Sequence, residues 1–299
     1  MQQGRIVFPA FVLVITAGSV WGARSGLPQA VLFPAVFAAL YAAIAVAEWR
    51  LPYRHEWNRP QGDVVTDAAH LVFTGIGSNE LVRVTFYGAA VTGAAWLAER
   101  THGGVWPRHW PLPAQLALAL LVAEFGHYWF HRLSHENALV WRVHAVHHSA
   151  LRLYWLNATR FHPLDLFALI ACQTVPLIVL GADAAALTAY GLFTGAYGQL
   201  QHCNIAVASG PLRWLFSTPE LHRWHHSDDP AEGNSNYGAV LSTWDLLFGT
   251  FFWPRDRRFT GPVGLRGLPG FPQRYLRQLL SPFRWPGDQA MSRAETASP

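Results

Sequence analysis

Apolar residues in this chain come in long blocks rather than in alternation. One uncharged block runs from Ile6 to Gly22 and a second from Leu27 to Ala47, broken by Arg24 and Ser25. Each approaches the ~20 residues that cross a bilayer, so two membrane spans are predicted. A signal peptide is the rival for the first block, but no small-residue cleavage site follows it and a second span comes at once. Arg50, Arg54 and Arg59 then cluster, which marks that end as cytoplasmic. Between Asp67 and Glu99 the first half is broken by Asn79, Glu80 and Arg83, which predicts an interfacial helix leading into a third span over Val84–Ala98. Trp106 and Trp110 lie in the polar turn that follows, as in an interfacial aromatic belt. Leu112–Ala123 is a fourth apolar run. Pro163–Leu180 and Ala184–Leu200 flank a break at Gly181–Asp183, which predicts a helical hairpin that dips into the membrane and returns. Leu241–Phe252 is aromatic and amphipathic, as in a helix lying on a surface. The fold class is therefore all-α, a polytopic membrane bundle with a cytosolic histidine-rich cap. Three parts are expected: residues 1–110 (N-terminal transmembrane helices), 111–255 (core) and 256–299 (a polar tail, disordered from about Gly287).

Composition strengthens the membrane reading. Of the 299 residues, 51% are hydrophobic and 13% charged, with a mean hydropathy of +0.14. Soluble domains carry about a quarter charged residues. The formal charge is +4, and every basic residue is Arg. These arginines are interleaved with aromatics and histidines, which argues against a nucleic-acid partner and for anionic lipid at a cytoplasmic face. Cys172 and Cys203 are too few for a disulfide framework and fit a reducing compartment or a membrane interior. Arg without Lys, with abundant Ala, points to a GC-rich bacterial genome and hence to a bacterial inner membrane.

Histidine supplies the candidate chemistry. The fourth apolar run leads straight into Glu124–His148, which holds His127, His131, His135, His144, His147 and His148. Far downstream, His222, His225 and His226 repeat the H-x-x-H-H spacing of His144, His147 and His148. Residues three and four apart share a helix face, so each group can aim two or three imidazoles at one point. Neutral imidazole binds Fe, Cu, Zn or Ni. Eight such ligands suffice for two metals of about four ligands each, with open positions for oxygen. A bland reading, isolated interfacial or satisfied histidines, suits His55, His70, His102 and His109. It fails for the clusters, where unpartnered buried imidazoles would be costly. His202, at the end of the hairpin, can complete the coordination. His127 lies on the face of His131 but one turn deeper, and His162 sits at a helix start in an outer role. Glu124, Glu220 and Asp245 are candidate carboxylates for orienting imidazoles. Asn157 and Arg160 are candidates for holding a polar head group. Zinc hydrolase motifs of the H-E-x-x-H type lack support, because Ala145-Val146 and Arg223-Trp224 stand between the histidines.

The boxes His131-x3-His135, His144-x2-His147-His148 and His222-x2-His225-His226 resemble those of the fatty acid hydroxylase / sterol desaturase superfamily. The text around them fits as well: YWFHR at Tyr128–Arg132, STPELHRWHH at Ser217–His226, NYG at Asn236–Gly238 and WDLLFGT at Trp244–Thr250. EFGHYWFHRLSHE with GPLRWLFSTPELHRWHH looks most like the alkylglycerol monooxygenase branch and its bacterial relatives. At His127 much of the family carries Tyr, which makes that residue a neighbour of the site. The resemblance implies a membrane-embedded di-iron oxygenase that attacks unactivated lipid C–H bonds with O2 and two electrons. It carries the ligand role to the eight box histidines, with His202 as a further one. It also implies a lipid substrate reaching the site from the bilayer, between the fourth span and the hairpin. Electrons would come from a separate redox partner, or from a pterin in the alkylglycerol branch. A lipid or sterol desaturase remains open, as do a di-zinc membrane hydrolase and a non-catalytic metal-binding or transport protein.

Overall fold

The computed structural model describes residues 3–100, 105–268 and 270–285. His102 and the tail from Gly287 lie outside them. Two long helices open the chain, α1 (Gln3–Arg24) and α2 (Gln29–Arg50). Both are long and apolar enough to cross a membrane, and only 22% and 11% of their apolar windows are buried. Ile6, Leu13, Val14, Trp21 and Trp49 are each more than 60% exposed. Faces this apolar and this open belong in lipid rather than in a core.

Next come α3 (Val64–Ala69), a π-helical turn (His70–Ile76) and α4 (Gly77–Arg100), in near-continuous succession. They cover the stretch where an interfacial helix and a third span were expected, with Val84–Ala98 inside α4. His70 is buried there, with its ring nitrogens against Thr74 and Gln278, while His55 and His109 are exposed. The fourth run continues without a break into the first histidine box as α5 (Leu112–Glu136), started by Pro111 and Pro113. Asn137 ends α5 and caps α6 (Ala138–His148), its side chain accepting from the amides of Leu139 and Val140. After a 3-10 turn (Trp155–Thr159) come α7 (Pro163–Val179) and α8 (Ala184–His202).

The expected hairpin exists, but its arms do not close on each other. They straddle α5, with α7 packed between α4 and α5, and α8 packed on α1, α5 and α2. Gly126 permits this. A Cβ there would collide with the Cys172 carbonyl, so only glycine lets α5 and α7 come this close. Phe8, Leu116, Leu120, Leu177, Phe193 and Tyr197 fill the core among these helices.

The cap consists of α9 (Pro219–His225), α10 (Pro230–Gly233), α11 (Thr243–Phe248) and α12 (Tyr275–Leu280), joined by long loops. The surface helix expected over Leu241–Phe252 shrinks to α11, because Gly249 takes a left-handed conformation (φ 75°) and stops it. Among the described residues there is no β-strand, only isolated bridges.

Candidate metal centre

The C-terminal ends of α5 and α8 meet α6 and α9 at one end of the bundle. Nine imidazoles converge there, and they fall into two groups. His131, His135, His144, His148 and His225 form one; His147, His202, His222 and His226 form the other. Within each group the candidate ligand nitrogens lie within 4.8 Å of one another.

Each H-x-x-H-H triplet aims two of its imidazoles at one group and its third at the other. The i, i+4 pairs stay together: His131 with His135, His144 with His148, His222 with His226. The remaining member of each triplet crosses over, His147 to the four-histidine group and His225 to the five-histidine group. Helix geometry explains this. A residue four positions on is rotated by only about 40°, whereas the two histidines of an H-H doublet point about 100° apart. Each doublet therefore faces both groups at once.

Second nitrogens fix the tautomers. His131 Nδ1 donates to the Tyr237 carbonyl (2.7 Å), His225 Nδ1 to the Ser235 carbonyl (2.8 Å) and His147 Nδ1 to the Arg160 carbonyl (3.2 Å). His144 Nδ1 faces Asp165 Oδ2 at 2.8 Å, and His202 Nδ1 faces Asn157 Oδ1 at 3.0 Å. A carbonyl can only accept, so those rings carry their proton on Nδ1 and present a bare Nε2 inward. The bare Nε2 of His131 nevertheless lies 3.1 Å from that of His144. His226 Nε2 is 3.1 Å from the Nε2 atoms of both His147 and His222. Where both nitrogens of such a contact are bare, their lone pairs repel unless a cation lies between them. Protonation is opposed, because burial pushes His131 down to about 4 and His135 and His202 down to about 3. Burial likewise holds His144, His147, His148, His222, His225 and His226 well below the usual imidazole range.

Orphaned atoms point the same way. Nε2 of His135, His148, His202 and His225 and Nδ1 of His222 are buried without a hydrogen-bond partner. Such atoms are rare in folded proteins unless something occupies the space they face. Two metal ions fit both groups, and an all-imidazole donor set suits Fe, Cu, Zn or Ni rather than Ca or Mg.

The surrounding residues depart from several expectations. Among the described residues, the carboxylate that holds a cluster imidazole is Asp165, which sequence reasoning missed; its only signal was a first-turn acid after His162-Pro163. Glu124 instead accepts from the amides of Val240 and Leu241, and Asp245 from those of Tyr237 and Gly238. Both hold the loop that carries the Tyr237 carbonyl. Glu220 is bound to Ser209 and Arg213, away from the imidazoles. The head-group role expected of Asn157 and Arg160 gives way to protein contacts, since both are only 1% exposed. Asn157 orients His202, and Arg160 is paired with Asp67. His127 stands outside both groups and accepts from Gln173. His162 caps α7. Asn236 was missed as well. It lies between the two carbonyls that take His131 and His225, in a left-handed conformation (φ 54°) that Asn tolerates.

A cavity of about 380 Å³ reaches the five-histidine group at the cap, bounded by His135, Trp141, His148, His225, Asp228, Leu265 and Arg266 among others. The lipid route was expected between the fourth span and the hairpin. There α5 is packed against both arms.

Comparison with known proteins matches residues 116–250 to the fatty acid hydroxylase family, a stretch that holds every clustered histidine. The ornithine lipid hydroxylase OlsE of Rhizobium tropici is 39% identical over 279 residues, which cover 93% of this chain and 83% of that protein. Alkylglycerol monooxygenase of Xenopus tropicalis is 31% identical over 51% of this chain and 34% of its own length; the Danio rerio protein is 33% identical over 49% and 33%. This chain thus spans about a third of those animal proteins. No solved structure matches it significantly. Similarity that runs through the histidine boxes and extends over most of a bacterial lipid hydroxylase makes this chain a member of the fatty acid hydroxylase family, an oxidoreductase.

Proposed function

We propose that the chain is a membrane-bound di-iron lipid hydroxylase, with one ion held by His131, His135, His144, His148 and His225 and the other by His147, His202, His222 and His226. The observation that carries this reading is the inward-facing set of bare imidazole nitrogens, divided into two groups. When bound, the iron pair supplies the redox chemistry with oxygen that an unactivated C–H bond requires, which zinc lacks. The reaction inserts one oxygen atom of O2 into a C–H bond and reduces the other to water with two electrons and two protons. The electrons come from a separate redox partner.

The chain's own residues prepare this site. Tyr237, Ser235, Arg160, Asn157 and Asp165 fix five of the rings through their second nitrogen, as outer-shell partners of metal ligands do. Every clustered ring is buried except that of His135, which is partly exposed at the cavity. The cap lies on the cytoplasmic side of a multi-pass protein. Supporting this, Tyr53 and Arg54 at the end of α2 hydrogen-bond Asn204, just beyond His202, so the Arg50–Arg59 cluster lies at the histidine end. The substrate is a lipid of the ornithine lipid kind, by similarity to OlsE.

The test has two parts. Protein prepared anaerobically with iron is expected to hold two irons per chain; two zincs after that preparation would end the redox reading. Lipids from cells that express the protein should gain one oxygen relative to cells lacking it, whereas loss of two hydrogens would identify a desaturase instead.

A further inference from the structure

The segment from Tyr154 to Arg160 orients two of the four rings in the smaller group, through Asn157 Oδ1 on His202 and the Arg160 carbonyl on His147. Two carboxylates from the N-terminal third hold that segment. Asp67 Oδ1 accepts from Arg160 Nε at 2.6 Å and lies 2.5 Å from its Nη2, while Tyr154 donates its hydroxyl to Asp67 Oδ2 at 2.8 Å. One turn earlier, Asp63 takes Arg152 in a two-point pair, Oδ2 to Nε at 2.6 Å and Oδ1 to Nη2 at 2.8 Å. The Arg152 carbonyl in turn accepts from Asn157 Nδ2 at 2.6 Å. Asp67 is fully buried, Arg160 and Arg152 nearly so.

Buried ion pairs add little net stability over apolar residues of the same volume, so two of them on one turn call for another explanation. The geometry they impose is that explanation. Among the described residues, the hydrogen bonds that hold the rings of the larger group run instead to Tyr237, Asp165, Ser235 and Asn234. Both acids also lie outside residues 116–250, the part matched to the family.

We propose that Asp67, supported by Asp63, is a positioning residue for the four-histidine group alone, acting through Arg160 and Arg152 on the backbone and amide that fix His147 and His202. This rests on the di-iron reading above. The test uses full-length protein in detergent, loaded with iron and titrated with a chelator. In the wild type both irons are expected to leave at high chelator concentration. In Asp67→Asn one iron should leave at a concentration roughly 10–100-fold lower, the usual cost of losing an outer-shell partner, with the other unchanged. Tyr154→Phe removes a single hydroxyl and serves where Asp67→Asn does not fold; it should weaken the same iron by about tenfold. In Tyr154→Phe/His222→Ala the surviving iron should bind as in His222→Ala, whereas in Tyr154→Phe/His225→Ala it should be weakened. Equal weakening of both irons in Tyr154→Phe, or of neither, overturns the proposal. A wild type that never holds two irons overturns the di-iron reading instead.

Discussion

The two histidine groups share α6 and α9 and lie side by side, yet they are built differently. The five-histidine group borders the cap cavity through His135, His148 and His225, and its rings are held by a loop at residues 234–237 and by Asp165 of α7. No ring of the four-histidine group lines that cavity. Its four rings are buried, and two of them are oriented by a segment that Asp67 of α3 and Asp63 just before it clamp. One group is thus open to exchange with a small molecule, while the other is sealed and fixed from behind. Placing each H-H doublet at the boundary ties the two groups rigidly together despite that difference.

The largest expected effect comes from breaking either group at a ligand. His225→Ala should cost one metal and His222→Ala the other, and each should lower activity more than about a hundredfold, because losing even an outer-shell partner costs roughly 10–100-fold. Metal content separates the groups where activity does not. If both variants keep two metals, the division into five and four is wrong. The remaining metal in His222→Ala should also exchange with chelator faster than the one in His225→Ala, since the cavity opens on the five-histidine side.

Much of this centre was legible in the sequence. Eight of the nine histidines could be picked out because spacings of three and four on a helix put residues on neighbouring faces, and His202 from its place at the end of the hairpin. Their allocation could not, because it depends on which way α6 and α9 are rotated against α5 and α8. The carboxylates show the same limit. Glu124 precedes the first histidine box on the same helix and Asp245 lies in the WDLLFGT stretch, but their oxygens are taken by backbone amides. Asp165 and Asp67 stand in other elements and reach the centre only once the chain has folded. The helical fold was readable from the blocks of apolar residues, whereas the hairpin arms part around α5 because Gly126 admits α7, a contact that no local pattern encodes.

A second effect sharpens the contrast in what supports each group. His70 lies in the scaffold behind the sealed group. Its Nε2 meets Gln278, which donates to Ser149 just beyond α6. Burial lowers the His70 pKa to about 4 from the usual 6.5. The folded protein therefore binds this proton less readily than the unfolded chain. The resulting stability is complete above pH 6.5 and is lost as pH falls from 6.5 toward 4, amounting to about 3 kcal/mol at most. Thermal unfolding of wild type and His70→Gln across that range isolates the effect, with the variant expected to lose less stability on acidification. Parallel pH profiles would show that His70 does not titrate in this way.

The smallest effect concerns Asn236, the counterpart of Asp67 on the open side. Its side chain donates to the carbonyls of Leu221 and Phe252 and accepts from the Phe252 amide, which holds Ser235 and Tyr237 under the rings of His225 and His131. Asn236→Gly keeps the left-handed backbone but loses those bonds, at a cost of about 1–2 kcal/mol. Asn236→Ala loses the same bonds and adds about 1–2 kcal/mol, because a Cβ without a compensating polar group disfavours that conformation. The difference between the two variants in chemical unfolding measures the backbone requirement alone. Both should weaken the metal of the five-histidine group and spare the other, the reverse of the selectivity expected for Asp67→Asn. Equal stability of the Gly and Ala variants would mean that the loop relaxes away from φ 54° and that the two carbonyls are not held by it.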